Sequence, residues 1–185
     1  IVDTGSTDGT QELGRSLGAK VIEFPSLYSI GGYGRMRTIT LQECKCDYGL
    51  IVDGDERFLP DALEELKKFG DSPYYDLIWL PRVNYTDWDM KTWENPPGYF
   101  DYQPKFVRVK PTISWIRPVH ELIQGIETEY RNPKGPIIQH FSEMKSRERT
   151  KQVLGMCTYI ALNEPYPHNP VPIVPYWQEG RRGIA

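Results

Sequence analysis

At 185 residues the chain is long enough for one domain with its own core, and 39% apolar against 25% charged residues excludes disorder throughout. The 22 basic and 25 acidic side chains leave a net charge of −3, which argues against a nucleic-acid partner, because such domains carry a basic surplus or stripe. No run of about 18 apolar residues is present, so no segment reads as a transmembrane helix.

The chain opens "IVDTGSTDGT": residues 1–3 read as the end of a buried strand and residues 4–9 as a turn. A helix follows over residues 10–17, with Leu13 and Leu17 spaced to share one face, Asp8 as cap and Gln11 as a capping-box partner. Gly18 ends it and "AKVIEF" is the next strand, so the order strand, helix, strand implies a parallel pair in an α/β sheet. Another helix over residues 34–46 leads to "YGLIVDGD", a buried strand ending in acids. "LPDALEELKKFG" carries the strongest helix signature, with Pro in its first turn, acids at its start, Lys near its end and a Gly stop.

"YDLIWLPRV" is then a strand, and residues 84–102 form a long surface loop rich in Trp, Pro and Asp. "KFVRV", "ISWI" and "HELIQG" read as short strands of a smaller mixed sheet, "PIIQHF" as one more strand, and residues 142–162 as a long helix. Five prolines between Pro165 and Pro175 forbid a regular helix, so residues 1–163 read as the domain and 164–185 as a Pro-rich arm or linker. Cys44, Cys46 and Cys157 are odd in number and lack a repeated CxxC, which suits free thiols in a reducing compartment. Trp79, Trp88, Trp93 and Trp115 could stack on a sugar, although Trp79 and Trp115 lie in strands and suit core packing better.

The strongest chemical signal is "LIVDGDERF". Asp53 and Asp55 flank Gly54 at the carboxyl end of an apolar strand, with Glu56 next, and that end of an open α/β sheet is where ligands sit. Hard divalent cations such as Mg2+ or Mn2+ take one or two carboxylates plus substrate phosphates, which makes this turn a candidate metal site. The opening turn has neither GK[ST] nor GxGxxG, so it is not a phosphate cradle of either known pattern. Asp3 suits hydrogen bonding to a base or sugar edge instead, or it could simply cap the turn through the amides of Gly5 or Ser6.

"VDTGSTDGT" followed by "VDGDE", with "MRTITLQE", "PKFVRV", "PVHELI" and "IIQHFS" in that order, resembles the inverting family 2 glycosyltransferases of the GT-A fold, closest to cell-wall and lipopolysaccharide types. The resemblance implies a Rossmann-like, mostly parallel sheet flanked by helices, with a smaller mixed β region. It also implies that a first strand and helix precede the "VDTGSTDGT" strand, so this sequence is expected to be incomplete at its N-terminus. Residue by residue, Asp3 would contact the nucleotide base, Arg37 would sit by the nucleotide, Asp53 would face the ribose or the metal-bound diphosphate, and Asp55 would ligate Mg2+ or Mn2+. Glu121 would be the catalytic base, with His120 orienting it or the acceptor, and His140 a further metal or diphosphate contact. Arg147, Arg149 and Lys151 could close over phosphates.

Plainer roles stay open: Arg37 as a surface charge, Glu121 in a structural ion pair, His140 as a core histidine, and the basic run as a solvated helix face. The family implies a nucleotide-sugar donor, a glycan, lipid or protein acceptor, and a cytoplasmic location, free or peripheral at the membrane. A sugar-1-phosphate nucleotidyltransferase and a degenerate binding domain are the competing readings. "MRT" puts Thr38 where the family keeps Asn.

Overall fold

The computed structural model describes residues 1–71, 74–86, 90, 101–132 and 138–141. The interior of the 84–102 loop with Trp88 and Trp93, the 142–162 helix with Arg147, Arg149 and Lys151, Cys157 and the Pro-rich arm lie outside them. The described residues group into two compact units. One comprises Ile1–Cys44 and Lys110–Gly125, the other Lys45–Val109 and the described part of Ile126–Gln152.

In the first unit, strand β1 (Val2–Asp3) pairs in parallel with β2 (Ile22–Glu23) across helix α1 (Thr10–Ser16), as the strand, helix, strand order implies. Leu13 of α1 and Leu17, the cap residue just beyond it, are both exposed; Gly14 faces inward, so close to Ile1 and Val21 that a Cβ would crowd them. Periodicity fixes which residues share a face and not which face is covered. Helix α2 (Tyr33–Gln42) buries Ile39 against Leu27 and Ile30, with Val2, Ile22, Phe24, Tyr33 and Met36 around them. Each such aliphatic burial contributes about 1.5–3 kcal/mol.

The N-terminus of α2 also seats the segment between two later strands. The Tyr33 amide donates to the Pro118 carbonyl at 2.7 Å, and a Cβ on Gly34 would be driven into the Arg117 carbonyl. Gly34→Ala is therefore expected to destabilise the protein by about 1–3 kcal/mol, because the obstacle is backbone and cannot rotate away. An unchanged urea midpoint would contradict that close approach.

The second unit is built on a six-stranded sheet in which β3 (Tyr48–Leu50), β6 (Asp101–Arg108), β5 (Leu77–Asn84), β10 (Ile138–His140) and β4 (Glu56–Arg57) are successive neighbours. Strand β9 (Glu129–Arg131) pairs with the first half of β5. Strand β5 is parallel to β9 and β10; the pairs β3–β6, β5–β6 and β4–β10 are antiparallel. The expectation of a mostly parallel sheet thus gives way to a mixed one. It is mixed because β6 runs antiparallel to both β3 and β5, and β4 antiparallel to β10. "KFVR" accordingly belongs to the large sheet, and the small one is the antiparallel pair β7 (Ser114–Ile116) and β8 (Leu122–Gln124) of the first unit.

Pro104 sits opposite Trp79 where the β5–β6 register shifts, a place at which a residue without an N–H is tolerated in a sheet. Helix α3 (Pro60–Gly70) matches its sequence signature and packs Leu66 onto Ile78, Leu80, Phe106 and Ile138. The strand before the acids is shorter than its apolar run: Ile51 is buried and still bonded to the Lys105 carbonyl, whereas Val52 is exposed.

Candidate functional site

Asp3 ends β1 and is 4% exposed. Its Oδ1 accepts from the amides of Gly5 and Ser6, both at 3.0 Å, and from Gln11 Nε2 at 2.7 Å. Gln11 therefore reaches back to Asp3 and to the Ser6 carbonyl instead of completing a capping box, while Asp8 accepts from the Thr10 amide and hydroxyl. Burial opposes the charge on Asp3, but the bonds from Ser6, Gln11 and Gly5 outweigh it and hold the carboxyl below its ordinary value.

A depressed folded value means that the charge stabilises the fold above the ordinary carboxylate range, and that this contribution fades as pH falls through the folded value. Asp3→Asn should lose about 1 kcal/mol at neutral pH, the difference between charged and neutral acceptors, with the gap to wild type narrowing toward pH 3. Parallel urea titrations across pH would test it; a pH-independent gap would refute it.

Arg37 and Glu121 meet in the same unit. Arg37 Nε lies 3.1 Å from Glu121 Oε1, with side chains 17% and 18% exposed. Helix α2 thus carries the guanidinium, and the segment leading into β8 carries the carboxylate. That segment is strained, since Arg117 and His120 have φ of 70° and 53° although neither is glycine. Thr38 fastens the same helix to β7: its hydroxyl accepts from the Trp115 amide at 2.8 Å and contacts the Gly34 carbonyl at 3.0 Å. His120 is exposed, and among the described residues Arg37 is the group that orients Glu121.

The acidic turn lies in the second unit. Antiparallel pairing sets His140 of β10 opposite Glu56 of β4, which brings the histidine to the turn. His140 Nε2 lies 3.5 Å from Asp55 Oδ2, and Nδ1 lies 2.7 Å from Asn84 Oδ1. With the Asn84 oxygen as acceptor, Nδ1 carries a proton and Nε2 faces Asp55. Metal-binding histidines are held this way, the second nitrogen fixed by an outer acceptor.

Asp53 is engaged differently: its Oδ2 lies 2.7 Å from Lys105 Nζ, which also meets Glu56 Oε2 at 2.6 Å. Glu56 Oε2 further accepts from the Asp53 amide at 3.0 Å, and Glu56 Oε1 is buried with no hydrogen-bond partner among the described residues. The Lys105 and Glu56 side chains are 3% and 0% exposed.

Lys105 is the functional candidate that pattern reading passes over. The signal was present: a lysine beside Phe106 and Val107 in a buried strand requires an acidic partner, and "DGDE" supplies it. Among the described residues no group of three or more His, Cys, Asp or Glu is assembled to hold a metal ion. Asp55 with His140 is a pair, which suits a cation that completes its shell with substrate phosphates and water.

The sequence matches the profile of glycosyl transferase family 2 over residues 1–124. The chain belongs to glycosyl transferase family 2. Among solved structures, S. aureus TarS 1–349 in complex with UDP is similar in fold, with a TM-score of 0.56 and 16% identity. The alignment covers 88% of this chain and 55% of that one, so the chain spans little more than half of the neighbour's length. This supports the GT-A fold for the family 2 chain. No helix among its described residues is long and apolar enough to cross a membrane, and Cys44 and Cys46 form no disulfide with each other.

Proposed function

We propose that this family 2 chain transfers a sugar from a nucleotide-diphosphate sugar to an acceptor hydroxyl with inversion at the anomeric carbon. The observation that carries the catalytic part is the Arg37–Glu121 contact, which holds a carboxylate in a fixed orientation on a strained segment. Glu121 takes the proton of the acceptor hydroxyl as its oxygen bonds to the anomeric carbon, while the bond from that carbon to the diphosphate oxygen breaks on the opposite face. Asp3 reads the nucleotide base from the opening turn, through the carboxylate that Gly5, Ser6 and Gln11 fix in place.

Asp55 and His140 fit a divalent cation, Mg2+ or Mn2+, on the strength of their 3.5 Å approach and the Asn84 bond that turns Nε2 toward Asp55. When bound, such an ion supplies charge stabilisation to the departing diphosphate. The acceptor is a glycan, lipid or protein, of the cell-wall or lipopolysaccharide kind, met in the cytoplasm or at the membrane periphery. A nucleotide-release screen of sugar donors on the intact protein, with and without Mn2+, tests the reading. UDP-sugars head that screen because the TarS neighbour was solved with UDP. Release from no donor under either condition would favour a non-catalytic binding domain.

A further inference from the structure

The geometry points to Lys105 as the positioning residue of the acidic turn: its buried ammonium ties down Asp53 and Glu56 and withholds Asp53 from the cation, leaving Asp55 and His140 to present it. This rests on the cation reading above and assigns a part to a side chain outside the motif. Lys105 lies within the large sheet, on the strand that separates β3 from β5, and reaches Asp53 at 2.7 Å and Glu56 at 2.6 Å. Almost no solvent reaches the ammonium or Glu56, so neither charge is tolerable without the other.

Without Lys105, Asp53 would lose the ammonium that holds it, with Asp55 next to it across Gly54. A cation would then draw Asp53 in as an additional ligand and shift from the place where Asp55 and His140 hold it.

The distinguishing measurement is Mn2+ binding to the intact protein, read from the loss of the free-ion electron paramagnetic resonance signal, alongside transfer. Lys105→Met should tighten Mn2+ binding by about tenfold, since affinity follows the number of charged ligands, while transfer falls. A structural tie alone would lower both together. Asp53→Asn in the wild-type background should leave Mn2+ affinity near wild type, and Asp53→Asn with Lys105→Met should return the tightened affinity to that level.

Weaker or unchanged Mn2+ binding in Lys105→Met would overturn the inference. If that variant does not fold, Asp53→Asn decides alone, and a loss as large as that of Asp55→Asn counts against it. Wild-type protein that leaves the Mn2+ signal untouched would instead remove the cation reading itself, and this inference with it.

Discussion

Glu121→Gln is expected to lower sugar transfer by roughly 10²–10⁴-fold, the usual contribution of a general base, with nucleotide binding retained. The substitution keeps an oxygen in reach of Arg37 Nε, now 3.1 Å from the carboxylate, and removes only the ability to take a proton. Folding should therefore change little, and melting curves of the two proteins serve as the control. Arg37→Met attacks the same step from the other side: the carboxylate stays but its orientation is released, so kcat should fall with little change in the nucleotide's Kd. A role for Arg37 at the nucleotide predicts the reverse, a weaker Kd with kcat preserved, and the two outcomes separate those roles. Normal transfer by Glu121→Gln would sink the mechanism.

Asp55→Asn should cost at least about 10²-fold in transfer and move half-maximal activation to a higher Mn2+ concentration, because several kcal/mol of charge stabilisation depend on the ligand and each 1.4 kcal/mol is tenfold. The substitution keeps the shape of the side chain and leaves untouched the Asp55 carbonyl, which accepts from the Phe141 amide. Loss of activity should thus appear without loss of stability. A variant activated by the same Mn2+ concentration and to the same rate as wild type would show that the cation, if used, is held elsewhere.

Much of the candidate site is legible in local pattern. The Asp at the end of the first strand, the "VDGDE" turn and the "HE" pair each advertise themselves within a few residues, and α3 follows from Pro60, its acidic start and its Lys-rich last turn. The plainer reading of Asp3 as a turn cap is also realised in its bonds to Gly5 and Ser6, so one carboxylate can serve the turn and still end the strand at the site. Thr38 explains itself only in three dimensions, as the hydroxyl that pins β7 to α2.

By itself the sequence determined the order of the three helices and of most strands, β4 and β9 excepted, the parallel β1–β2 pair, and which residue types could carry charge and protons. Those properties depend on neighbours a few positions away, where helical and strand periods and turn chemistry operate. Only the tertiary structure decided that Arg37 holds Glu121 across 84 positions and that Lys105 holds Asp53 across 52. It also decided that His140 arrives at Asp55 through the pairing of β10 with β4. Register and packing between distant strands set these meetings. They arise because a buried charge must find its opposite wherever the fold brings one within reach.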